Sequence, residues 1–178
     1  MTWLILILAG AAVIFAKGSA AAMPATPAAG GAVPVPSGSG PDWFASAFAT
    51  AAAKADRRGI PIGFMAAQSA QETGWGSSNL AKNFNSLFGI AAVGAQNAYW
   101  HGASHQAADG QATRAYASWS DSISDYARLI QSRYPEAYAA AQKNNIEGFA
   151  RLLVAGGYNT ADPTYADSII SIYKGHFA

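Results

Sequence analysis

The chain has 178 residues and a net charge of +1, with no basic run or RNA-binding aromatic motif, so electrostatics give no case for a nucleic-acid partner. It holds no cysteine, which excludes disulfides and thiolate metal sites and fits any compartment, an oxidising one included. Hydrophobic residues make up 51% and charged residues 12%, the low charge reflecting an Ala/Gly/Pro-rich first quarter, and the length suits one domain plus a tail.

Residues 1–16 carry no charged side chain, and Lys17 follows. A membrane anchor takes roughly 17–25 apolar residues, a length reached here if Lys17 snorkels and the small residues up to Pro24 are counted. A cleaved signal would use an Ala-x-Ala-like site around Ala20 to Ala22, but lacks a Lys or Arg before its core. Residues 1–17 are therefore read as a membrane anchor or signal segment, the anchor being favoured. Residues 18–41 are Ala, Gly, Pro and Ser with almost nothing large. Such a segment cannot bury enough apolar surface to offset its ordering entropy, and reads as a flexible linker. The folded domain spans 42–178.

Its pattern is mostly helical. Trp43, Phe44, Phe48, Ala51, Ala52 and Ala55 recur at three- and four-residue spacings and predict a helix from Asp42 to Arg58, ended by Gly59. Pro61 opens a second helix in a favoured first-turn position. It runs to Glu72 and stops at Gly74. A short helix is expected over Ser78 to Lys82. Gly94 to Ser118 lacks helical periodicity, and Asp109-Gly110 is a two-residue hairpin turn signal. Ser118 and Asp121 resemble a helix start, followed by a buried stripe of Ile123, Tyr126, Ala127, Leu129 and Ile130. Further helices fit Pro135 to Gln142, Ile146 to Val154 and Pro163 to Tyr173, the last with Asp162 as cap and Pro163 in its first turn. The fold class is α+β, a mostly helical domain with a small β-hairpin lobe.

Glu72 stands at the end of an apolar, alanine-rich helix, beside Trp75. Phe64, Gln68 and Glu72 share one helix face. Desolvation disfavours a charged carboxylate, and the helix dipole is negative at this end, so both push the pKa up. A protonated carboxylic acid beside an aromatic surface suits leaving-group protonation in glycosidic bond cleavage. The plainer alternative, a surface glutamate at a helix end, is equally weighted on these grounds alone.

The segment from Ala67 to Gly76, AQSAQETGWG, resembles the AQAALESGWG signature of the bacterial β-N-acetylglucosaminidases of glycoside hydrolase family 73, which include flagellum-associated peptidoglycan hydrolases and autolysins. Asn85 to Ile90 matches the family's NLFGI, and Trp100-His101-Gly102 its WxG. Arg114-Ala115-Tyr116 with Ser118 and Asp125-Tyr126-Ala127 matches FRxYxS…DYAxLL. Gly157 to Ala166 matches AGYATDPxYA with one extra residue. The resemblance implies a lysozyme-like fold and hydrolysis of the peptidoglycan glycan strand after N-acetylglucosamine, with Glu72 as general acid. It also implies that Tyr165 is the active-site tyrosine that positions the substrate's acetamido group or water; the plain alternative is a helix-packing tyrosine. Gln68, Trp75, Phe88, Trp100 and Tyr158 are the residues expected at the substrate, Phe88 having a core role as the stronger alternative.

The family often carries a second glutamate in the hairpin lobe. Here residues 101–113 contain only one acid, Asp109. Three second groups remain open: Asp109, the substrate's own 2-acetamido group, which is favoured, or water without a strong protein base. Asp121 and Asp125 are read as helix-start and surface positions. His101 and His105 have metal-ligand spacing, but no third ligand is evident and the lobe is not helical. No metal or organic cofactor is expected, because proton-transfer chemistry needs neither. The expected partner is the peptidoglycan glycan strand, with membrane contact through residues 1–17 if they are retained, and a monomeric catalytic domain in the cell envelope or a virion membrane. The rival readings are a muramidase or lytic transglycosylase on a related fold, and a non-catalytic wall-binding module.

Overall fold

A computed structural model describes residues 37–106 and 110–178. The expected anchor or signal segment, nearly all of the expected linker, and Asp109 lie outside the described residues. Among the described residues no helix is long and apolar enough to cross a membrane.

The elements are α1 (Pro41–Ala52), α2 (Ile62–Thr73), α3 (Asn79–Phe84), β1 (Ser104–Gln106), β2 (Ala112–Arg114), α4 (Trp119–Arg133), α5 (Pro135–Gln142), α6 (Ile146–Ala155) and α7 (Tyr165–His176). The α+β class holds, with one two-stranded antiparallel sheet in register Ser104 to Arg114, His105 to Thr113 and Gln106 to Ala112. The strands flank the segment in which the Asp109-Gly110 turn is expected, and Asp109 itself lies outside the described residues. Beyond the last described pair, Gln106 Nε2 donates to the Gly110 carbonyl at 2.8 Å.

α2 is the central helix. Every residue from Phe64 to Ala70 is buried, and the helix packs against α1 and α7. A helix apolar on all sides has to be surrounded in this way. Phe64 meets Phe149 of α6 and Tyr173 of α7, with ring centroids 5.6 and 5.1 Å apart.

Several helix ends differ from expectation, among them the end of α1 and the starts of α2 and α7. α1 stops at Ala52, six residues before Arg58: the Asp56 amide donates to Ser124 Oγ at 3.0 Å, and Arg58 takes φ 52°, which a continuing helix forbids. Pro61 is the cap before α2, one residue ahead of the first turn. α7 starts at Tyr165, because the Asp162 carboxylate is spent on the Thr164 amide (2.8 Å) and hydroxyl (2.7 Å), closing a turn before the helix. The Ser118 cap of α4 forms as expected, its Oγ accepting from the Asp121 amide at 3.2 Å. On that helix Leu129 is only partly buried, while Ile123, Tyr126, Ala127 and Ile130 are fully so.

Candidate active site

Glu72 lies in the last turn of α2, with Gly74 in the left-handed conformation closing the helix. Gly74, Trp75 and Gly76 have φ of 55°, 59° and 75° in succession. A bulky residue such as Trp75 rarely adopts this conformation. The turn is held by Thr73, whose Oγ1 donates to the Ser69 carbonyl at 2.6 Å and accepts from the Gly76 amide at 2.8 Å. A side chain at Gly76 would crowd Phe44 at 3.0 Å and Trp43 at 3.2 Å and would stand at positive φ, so glycine is favoured there. The chain therefore reverses immediately behind the carboxyl group.

Burial is the largest influence on Glu72 and lifts its pKa from 4.5 to about 7, against a lowering effect from the Tyr165 hydroxyl. That hydroxyl, on the first residue of α7, donates to Glu72 Oε1. Tyr165 in turn accepts from Gln68 Nε2 at 3.0 Å, and Gln68 Oε1 accepts from the Tyr126 hydroxyl of α4. Tyr126 stacks on Phe88 at 3.9 Å, and Tyr158 stacks on Tyr165 at 6.0 Å. Behind the carboxyl lies a buried aromatic cluster drawn from α4, α7, the link before α7 and the link after α3. A group poised to be half protonated near neutral pH, on a rigid element and hydrogen-bonded on one oxygen, is equipped for proton transfer.

A second buried cluster ties the hairpin lobe to the helices. Asp125 of α4 is fully buried, and both its oxygens are saturated. Oδ2 accepts from Arg114 Nη1 (2.7 Å) and the Tyr116 hydroxyl (3.0 Å); Oδ1 accepts from Asn97 Nδ2 and Arg128 Nε, both at 2.9 Å. Arg114, on β2, also donates to the Ala91 and Val93 carbonyls and lies 4.2 Å over the Trp100 ring.

Residues 48–177 match the glucosaminidase family, described as mannosyl-glycoprotein endo-beta-N-acetylglucosaminidase. The chain belongs to the glucosaminidase family. This glucosaminidase-family chain is 31% identical over 144 residues to the peptidoglycan hydrolase FlgJ of Vibrio parahaemolyticus, covering 74% of this chain and 46% of that protein. It therefore spans less than half the length of that relative. Among solved structures it is similar to a peptidoglycan hydrolase from Sphingomonas sp. A1, with 32% identity, a TM-score of 0.55 and coverage of 72% of this chain and 83% of that one. It is also similar to the glycoside hydrolase domain of Salmonella typhimurium FlgJ, with 26% identity, a TM-score of 0.58 and coverage of 77% and 88%. The lysozyme-like fold expected from the sequence motifs agrees with these neighbours.

Of the residues expected at the substrate of this glucosaminidase domain, Gln68, Phe88, Trp100 and Tyr158 are buried and face the protein. Gln68 is occupied by two tyrosines. Phe88 packs on Tyr126. Trp100 donates to the Ala103 carbonyl at 2.6 Å beneath Arg114. The Tyr158 hydroxyl donates to the Phe88 carbonyl at 3.1 Å. All four side chains are thus enclosed by protein partners in this structure. Trp75 stays partly exposed, but its ring packs against Phe44, His176 and Phe177. Asp125, read as a surface residue, is the most enclosed acid described. His105 lies against the Phe84 ring at 4.2 Å, and no group of three metal-binding side chains occurs among the described residues. None of the other described carboxyl groups shares a hydrogen bond with Glu72.

Tyr126 is the residue beside Gln68 whose part in the site the motifs do not single out. A signal for it exists in the sequence: a glutamine inside an apolar helix must find buried partners, and a tyrosine in the core stripe of another helix supplies one.

Proposed function

We propose that the chain is a peptidoglycan hydrolase that cleaves the β-1,4 bond after N-acetylglucosamine, with Glu72 as general acid. The observation that carries this reading is the Glu72 carboxyl, pushed to about 7 and fixed by Tyr165 at the closed end of α2. The relatives named as peptidoglycan hydrolases supply the substrate class. The glycan would lie between the helical body and the lobe formed by residues 94–118. Glu72 gives its proton to the glycosidic oxygen as the bond from that oxygen to the anomeric carbon breaks. The substrate's 2-acetamido oxygen closes on the anomeric carbon, and water then opens that ring, returning a proton to Glu72. The alternative second group is Asp109, with its carboxylate activating water directly. Residues 1–17 would hold the enzyme at the cell envelope.

Glu72→Gln keeps the shape of the side chain and removes the proton donor. General acid catalysis contributes roughly 10²–10⁴-fold, and the loss of wall-clearing activity is expected at or above that range with an unchanged circular dichroism spectrum. Activity within a few-fold of wild type would overturn the assignment.

A further inference from the structure

We propose that Tyr126 and Gln68 are positioning residues that determine which oxygen of Glu72 carries the acid proton; the inference rests on Glu72 being the acid. The hydrogen bonds run in one direction, from the Tyr126 hydroxyl to Gln68 Oε1, from Gln68 Nε2 to the Tyr165 oxygen, and from the Tyr165 hydroxyl to Glu72 Oε1. A carboxamide oxygen only accepts, and its nitrogen only donates. Tyr165, accepting from Gln68, has its single proton to give, and gives it to Oε1. The proton of neutral Glu72 is thereby left on Oε2, where it is available to a sugar oxygen.

Reversing the Gln68 amide would reverse the whole chain. Tyr165 would donate to Gln68, and Glu72 would direct its proton inward to the Tyr165 oxygen. Tyr126 opposes that reversal. It is fully buried, and its hydroxyl has Gln68 as its hydrogen-bond partner among the described residues. With the amide turned round, its O–H would be a buried donor with nothing to receive it, which is costly. The titratable groups facing Glu72 are Tyr126 from α4, Tyr158 from the α6–α7 link and Tyr165 from α7, and burial keeps all three phenols neutral, well above their usual 10. Donor and acceptor geometry, rather than ionisation, therefore sets the direction.

The chain has three glutamates, Glu72, Glu136 and Glu147, so the carboxyl carbon of Glu72 is assignable in the full-length, glutamate-13C-labelled protein by comparison with Glu72→Gln. Tyr126→Phe removes one hydroxyl and leaves the ring on Phe88. The freed amide lets Tyr165 turn away, the carboxylate loses a donor, and the Glu72 pKa is expected to rise by about half a unit to one unit. Gln68→Met is a second variant expected to move it the same way. In a Tyr165→Phe background neither change should add to the shift, since both act through that hydroxyl. In parallel, kcat on peptidoglycan is expected to fall about 3- to 10-fold with KM unchanged. A wild-type titration in both variants, or a shift that persists in full in the Tyr165→Phe background, would overturn the proposal. Failure of the functional reading is seen separately, as hydrolysis that survives Glu72→Gln whatever the titrations show.

Discussion

The Glu72 carboxyl is placed where its charged form is disfavoured, and this has opposite consequences for stability and for activity. In the unfolded chain it ionises near 4.5, in the folded protein near 7. Between those values the native state holds the proton that the unfolded state releases, so stability falls as pH rises through this window. At about 1.4 kcal/mol per pKa unit the full cost is about 3 kcal/mol at most, and less because the residue keeps some contact with solvent. Glu72→Gln removes the cost. Its gain in urea-unfolding stability over wild type is expected to be absent below pH 4.5, to grow up to pH 7 and to level off above it. The catalytic counterpart is a basic limb in kcat/KM near pH 7, since only the protonated acid serves. A profile flat from pH 5 to 9 would contradict this role for the carboxyl.

At the scale of elements, α2 and the β1–β2 lobe are connected to the same helix, α4, by different chemistry. α2 meets it through Gln68 and Tyr126. The lobe meets it through Arg114 and Asp125, an ion pair with side chains 7% and 0% exposed. Breaking one partner of a buried pair leaves an uncompensated charge, which costs about 3–5 kcal/mol. Asp125→Ala is therefore expected to lower unfolding stability by that amount, measured by urea titration; a loss below about 1 kcal/mol would show that the lobe is fixed by other contacts. The exposed pairs Lys174–Glu147 and Arg151–Asp167 are expected to contribute little by comparison. Legibility in the sequence follows the range of the forces involved. The Ser118 cap, the Gly74 stop and the Pro135 to Gln142 helix depend on neighbours within a turn, and are visible from local residues. The end of α1 depends on a hydrogen bond from Asp56 to Ser124, 68 residues away, and leaves no local trace. Asp125 looks like a surface acid until the arginine, tyrosine and asparagine that surround it are brought together by the fold.

For the molecule as a whole, one aromatic and apolar core extends from Phe44 and Phe48 of α1, through Phe64 of α2 and Tyr126 of α4, to Tyr165 and Ile169 of α7. The candidate acid sits at the edge of that core rather than on a separate loop. The polar side chains nearest to it are therefore packed as tightly as the apolar ones, and aromatics that resemble sugar platforms in sequence are needed as floor. Glu72 and Tyr165 are singled out in the sequence by motifs and helix ends, and the fold hydrogen-bonds one to the other. The support beneath them, Gln68 turned inward to Tyr126, required the packing of α2 on its neighbours. The central claim is that this arrangement cleaves a glycan strand after N-acetylglucosamine by means of Glu72. Mass spectrometry of peptidoglycan digested by the full chain tests it most directly. The account predicts fragments with reducing N-acetylglucosamine ends, absent when Glu72→Gln is used. Reducing or anhydro N-acetylmuramic acid ends, or the same fragments from Glu72→Gln, would contradict it.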